Sequence, residues 1–312
     1  MKNSAKFITT TLSLMFLSHS VGALVDYSEP AFQPQNSGAR SISAPKPKTT
    51  STKKISSPNR SKGGPMGTLN MALSQGFSNV ELDGLSAKVN KTKIEGHFQT
   101  QYNIYLDFSY WQASSAEKQI SESNEYQKGN PDVILGFNWL QFGSVQDAAN
   151  IDLYGGAVFG QKGSELGTER TTKVFGLKTA KRFNQFALGL GYEMGFTDTP
   201  DGDDEMAIGN IATLAASVGW SVSPDIRFII EANNYKISAS DAAGRSNVLT
   251  RDLSFSSITP KAHLNLSPWV MLELGATFRT RRLRDPDLVK ARLWDMEGAY
   301  GNSMFASLGI SI

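Results

Sequence analysis

The chain has 312 residues, 40 % hydrophobic and 19 % charged, with no Cys, and its 31 Lys and Arg against 29 Asp and Glu give a formal net charge of +2. Without Cys there can be no disulfide, thiolate zinc site or cysteine-ligated iron–sulfur cluster. The charge is unevenly spread: residues 24–66 carry seven cations against Asp26 and Glu29, which leaves 22 basic and 27 acidic residues in 67–312, and an acidic body with one short basic arm does not suit a nucleic-acid binder.

Residues 1–23 read as a secretory signal peptide. Lys2 and Lys6 form the positive end, Ile8 to Phe16 the short apolar core, and Val21-Gly22-Ala23 a cleavage site. The apolar core is too short for a membrane-spanning helix, which takes about 20 residues. Residues 24–66 follow as a Ser-, Pro- and Lys-rich segment nearly free of large apolar side chains. Such a segment buries too little surface to offset its chain entropy and is expected to be a disordered periplasmic linker. Its cations (Arg40, Lys46, Lys48, Lys53, Lys54, Arg60, Lys62) offer a second role, adhesion to peptidoglycan or anionic lipid.

From residue 67 onward the chain reads as one domain, and from about residue 78 the pattern has period two. In the clearest segment Phe186, Leu188, Leu190, Tyr192, Met194 and Phe196 share one face, opposite Ala187, Gly189, Gly191, Glu193 and Gly195. Large apolar residues against small and charged ones describe a lipid-facing wall. Further segments repeat the pattern: Ile104–Tyr110, Val133–Trp139, Ile151–Phe159, Ile226–Ala232 and Val270–Phe278. The uncharged run Met206–Pro224 also alternates, which argues against a membrane helix there.

Short turns are expected near Thr100–Asn103, Val145–Ala149, Phe183–Asn184, Ser221–Pro224 and Leu266–Pro268. Longer polar loops are expected near 115–130, 162–169, 197–205, 240–247 and 284–301. Short turns on one side and long loops on the other are the plan of a transmembrane antiparallel β-barrel. Ten strands follow from Tyr102 onward, and a hairpin of Val80–Val89 and Lys93–Thr100, turning at Asn90–Lys91, brings the total to about 12, with 10 as the alternative. Gly67–Phe77 reads equally as a short helix or a leading strand.

On these residues the chain, over roughly 78–312, resembles bacterial outer-membrane β-barrel proteins of the porin-like class. The alternating end Met304, Ala306, Leu308, Ile310, Ile312 resembles the strand that barrel-assembly machinery reads, although many members end in Phe where this chain has Ile312. The resemblance implies a Gram-negative outer-membrane location, contact with outer-membrane lipid and lipopolysaccharide, and no cofactor.

The chemistry-bearing residues fall into three sets. Asp107, Asp152, Glu193, Glu231 and Glu273, with Arg227, Arg279 and Arg281, are expected to face the lumen. There they either pair and plug it or line a narrow pore and set its ion preference. Asp198, Asp201, Asp203, Asp204 and Glu205 crowd one outer loop and form a possible cation site, without the spacing of an EF-hand. Arg281, Arg282 and Arg284 form a possible contact for lipopolysaccharide phosphate. His97 and His263 read as lumen-wall residues, and no catalytic residue or resident metal is expected. A narrow passive pore for ions or small solutes is the leading expectation. The alternative is a structural barrel with a plugged lumen that binds envelope partners through its loops and linker.

Overall fold

The computed structural model describes residues 67–312 except 101, 119, 123–124, 144–146, 243, 282 and 284, so the signal and linker assigned to 1–66 lie outside the described residues. The chain forms twelve long strands: β1 (Gly67–Leu82), β2 (Leu85–Thr100), β3 (Ile104–Ser115), β4 (Asp132–Phe142), β5 (Ala149–Val158), β6 (Thr172–Phe183), β7 (Phe186–Thr197), β8 (Ile211–Ser221), β9 (Ile226–Ile237), β10 (Leu253–Ser267), β11 (Val270–Arg279) and β12 (Gly301–Ser311). Gln127–Lys128 adds a two-residue rung beside β3, and a 3₁₀ turn, η1, spans Pro286–Ala291. Each strand pairs antiparallel with its sequence neighbours, and β1 pairs with β12 from Asn70↔Ser311 to Val80↔Gly301. The sheet is therefore a closed barrel with no free edge, as hydrocarbon surroundings require, since an unpaired backbone group there costs several kcal/mol. No helix among the described residues is long and apolar enough to cross a membrane; strands provide the crossing.

Alternation decides which side chains meet lipid. Leu188, Leu190 and Tyr192 on β7, Leu214 and Val218 on β8, and Phe228 and Ile230 on β9 are exposed on the outer wall. Aromatic residues collect at both ends of this apolar band. At the short-turn end Phe186 stacks on Trp220 with centroids 6.2 Å apart, and Trp220 meets Phe228. At the other end Phe175 meets Phe196 edge-on. These are the interface girdles of a membrane barrel. A bulge between Asn138 and Leu140 turns both Trp139 and Leu140 outward.

The first hairpin corrects the sequence reading. Gly67–Phe77 belongs to β1, and the chain turns at Asp83–Gly84, not at Asn90–Lys91; Leu82 pairs with Leu85, and Gly84 has φ +79°. An Asp-Gly pair suits this turn because its backbone needs positive φ. At 16 residues each, β1 and β2 extend about 50 Å, well beyond the apolar band. With this hairpin the count is twelve strands.

The outer end of the barrel holds a feature that strand alternation did not signal. Above the lipid level the inward positions become apolar: Val80, Leu82, Leu85, Ala87 and Val89 on β1 and β2, Trp111 on β3, Tyr235 and Ile237 on β9, and Phe255 on β10. All five long loops pack onto them with Ile120, Leu166, Met206, Ile208, Leu249, Leu288, Leu293 and Tyr300, forming one buried cluster across the mouth. The barrel is thus capped by a small apolar core of the kind found inside soluble domains.

Candidate functional site

Below the cap the inner wall is polar, and most of its charges meet a partner. His97 on β2 shares a hydrogen bond with Asp107 on β3, and His263 Nε2 on β10 lies 2.5 Å from Glu273 Oε2 on β11. Arg227 on β9 is in register with His263. Lys93 pairs with Glu95, and Lys261 lies 2.7 Å from Glu231, both side chains almost fully buried. Asp152 on β5 is in register with Lys178 on β6. Nearer the rim Arg279 donates to the Tyr300 carbonyl at 3.0 Å and to Glu81. Pairing offsets the several kcal/mol that each isolated ion would cost inside the barrel. In the row His263–Glu273–Ser307 the acid stands between histidine and hydroxyl, the wrong order for His to activate Ser.

One register row shapes the wall more than any other. Tyr105, Gly136, Tyr154, Gly176 and Glu193 are successive partners across β3 to β7. Each tyrosine lies sideways across the next glycine: a Cβ on Gly136 would fall 1.9 Å from Tyr105 Cζ, and one on Gly176 2.1 Å from Tyr154 Cζ. Lying flat, Tyr154 donates its hydroxyl to Glu193 Oε2 at 3.0 Å. The Lys178 ammonium sits 4.7 Å from the Tyr105 ring centroid and 5.9 Å from that of Tyr154, a favourable cation–ring contact.

The loop between β11 and β12 descends into this space. Lys91 Nζ donates to the Trp294 carbonyl at 2.9 Å and lies 3.8 Å from Asp295. Glu297 accepts from Thr259 on β10 at 3.0 Å and from Thr277 on β11 at 3.4 Å. Two cavities flank the inserted loop. One, of about 120 Å³, runs along β1 and β12 past Ser74, Thr277 and Phe305; the other, of about 150 Å³, is bounded by Tyr105, Asp132, Tyr154, Lys178 and Glu193. Lys91, Lys93 and Asp295 line both, so cationic side chains face a carboxylate where the two spaces meet.

Ionic braces tie the cap together. Arg170 bonds Glu205 with both side chains essentially without exposure (4 % and 0 %), and Glu205 also accepts the Glu169 N–H at 2.6 Å. Arg292 reaches Asp204 at 2.8 Å and the Ser164 and Gly167 carbonyls. The Tyr300 hydroxyl accepts the Leu293 N–H and donates to the Leu288 carbonyl.

The structure redistributes the expected cation loop. Its carboxylates do not converge; each meets a cation: Asp198 with Lys173, Asp201 with Lys162, Asp203 with Arg245, Asp204 with Arg292, and Glu205 with Arg170 and, at 3.6 Å, Arg292. The Lys162 ammonium, bonded to Asp201 at 2.5 Å, holds that carboxyl below its usual range. The backbone N–H of Ala239 and the Lys236 ammonium do the same for Asp252.

Of the expected lumen set, Asp107, Asp152, Glu193, Arg227, Glu231, Glu273 and Arg279 occupy inward positions. Arg281 does not: β11 ends at Arg279, and Arg281 is exposed and donates to Ser254 at 3.1 Å. It remains at the outer rim as the described member of the possible lipopolysaccharide cluster; Arg282 and Arg284 lie outside the described residues. Sequence reasoning passed over Lys91, Lys93, Lys178 and Asp132; an adjacent apolar residue (Ile94, Leu177 and Val133) was the available signal for the last three. For Asp295 and Glu297 there was none, because a loop's descent into a lumen is decided by distant contacts.

No protein-family model and no curated protein matches the sequence. Solved structures do match. An outer membrane channel from Pseudomonas putida F1 superposes with a TM-score of 0.57 at 10 % identity, over 80 % of this chain and 97 % of that one. The NanC porin superposes with a TM-score of 0.50 at 8 % identity, over 77 % and 98 %. The chain has the fold of bacterial outer-membrane β-barrels of porin-like architecture.

Proposed function

We propose that the protein is a narrow passive pore of the outer membrane for ions and small solutes, with its outer mouth capped by the long loops. The observation that carries this reading is the polar lumen: two cavities meet at Lys91, Lys93 and Asp295 inside a wall whose outer face suits lipid. Along the inner wall and the inserted loop, carboxylates outnumber cationic side chains, so cations are favoured. The channel and porin named for the structural neighbours agree with this reading. Outer-membrane lipid and lipopolysaccharide surround the barrel, assembly machinery reads its last strand, and the basic linker contacts peptidoglycan or anionic lipid.

The test is the reversal potential of the refolded barrel in a planar bilayer under a potassium chloride gradient. A potential of the sign for cation preference is expected; an anion-selective or zero potential contradicts it. The apolar cluster across the mouth favours a second reading, a plugged barrel that acts through its loops. That reading expects no current at all.

A further inference from the structure

The 150 Å³ cavity beneath the cap has an uneven charge pattern. Glu193 is only 8 % exposed, and its one hydrogen bond comes from the neutral Tyr154 hydroxyl. Among the described residues no basic side chain lies within 4.0 Å of it, whereas Glu205, Glu231 and Glu273 each have such a partner. A second carboxylate, Asp132, lines the same space and is bonded to Ser109 at 2.5 Å. Buried carboxylates are ordinarily paired, so Glu193 is left to meet a positive charge from outside the wall; Lys91 and Lys93 line the same cavity beside Asp295.

The adjacent strand brings a cation instead: Lys178 on β6 stands two positions from Gly176, the register partner of Glu193, and is in register with Asp152 on β5. Lys178 sits over the Tyr105 ring, and Tyr105, 5 % exposed, ends in a hydroxyl with no hydrogen-bond partner. Both line the cavity, as do the apolar side chains of Ile134, Val158 and Val174. A bare cation here is attracted by Glu193 and repelled by Lys178; a bare anion suffers the reverse. A solute carrying both charges satisfies both groups. We propose that the cavity binds a small zwitterion of the amino-acid class, its ammonium at Glu193 and Asp132 and its carboxylate at Lys178 and the Tyr105 hydroxyl. The proposal deepens the pore reading by naming its solute.

The test uses the full chain refolded in detergent micelles, with binding of L-alanine, ethylamine and propionate followed by titration calorimetry. L-Alanine is expected to bind at least about tenfold more tightly than either single-charge probe, the scale of one charged hydrogen bond. Glu193→Gln should weaken L-alanine and ethylamine alike by about tenfold. Tyr105→Phe should weaken L-alanine and leave ethylamine unchanged, and it keeps the proposal testable if Glu193→Gln does not refold. Equal affinities for the three probes, or wild-type L-alanine affinity in both variants, would overturn the proposal. Binding in micelles does not depend on conduction. A barrel that binds L-alanine but passes no current overturns the pore alone, and one that conducts without binding overturns this proposal alone.

Discussion

Replacing Arg170 by Met tests what holds the cap shut. Arg170 and Glu205 face each other in a site closed to solvent, and removing the guanidinium leaves a buried carboxylate with only the Glu169 N–H at 2.6 Å and Arg292 at 3.6 Å. Breaking a buried pair by removing one partner costs about 3–5 kcal/mol. Because Arg292 can move toward the orphaned oxygen, the lower figure applies, and about 3 kcal/mol corresponds to roughly a hundredfold rise in the population of open loops. Hydrogen exchange of the refolded protein in micelles reads that population directly. The amides of Glu169, bonded to Glu205, and of Leu293, bonded to the Tyr300 hydroxyl, should exchange about a hundredfold faster. Strand amides on β6 to β9 should be unchanged. Replacing both partners by apolar residues, Arg170→Met with Glu205→Leu, should restore much of the protection, since no charge is then stranded. Unchanged loop exchange in the single variant, or equal acceleration in the strands, would refute the account of the cap.

Three further outcomes follow from the geometry. In single-tryptophan variants, brominated lipid should quench Trp139, Trp220 and Trp269 on the outer wall and spare Trp111 in the cap and Trp294 on the inserted loop; quenching of Trp111 would contradict the assigned faces. Gly176→Ala places a methyl group where the Tyr154 ring lies, so the ring must leave Glu193, and the urea midpoint should fall by an amount equivalent to about 1–3 kcal/mol. An unchanged midpoint would show that the ring is not held. Asp201 and Asp252 are held below the usual carboxyl range, so their contribution is complete above about pH 4 and is lost only as pH falls through the lowered values. A spin label at Thr199 should therefore keep one mobility from pH 7 to pH 5, and a change already at pH 5.5 would contradict these anchors.

The barrel itself was legible because its rule is local. Residue i faces lipid and i+1 faces the lumen, and segments such as Phe186–Phe196 carry that rule without interruption. The inward positions of Asp107, Glu193 and Glu231 follow from the same parity. The rule failed at the outer ends of β1 and β2, where Val80, Leu82, Leu85, Ala87 and Val89 face inward into the cap instead of outward to lipid. There the apolar parity shifts from even to odd numbers across Asp83–Gly84, a register signal that marks the true turn. The cap and the inserted loop could not be read in advance. Lys91 meets Trp294 across about 200 positions of sequence, and Arg292 meets Ser164 across more than 100, contacts that closure creates and that no local pattern encodes. The ion pairs of the acidic run 198–205 were illegible for the same reason, since its cations come from other loops and from β6.

The proposed function makes the capped lumen a conducting path. Single-channel recording of the full chain and of Arg170→Met in planar bilayers tests it most directly. Small, discrete, cation-favouring currents are expected from the wild type, with longer or more frequent openings once the cap is loosened. A barrel that inserts fully and stays silent in both forms would contradict the claim.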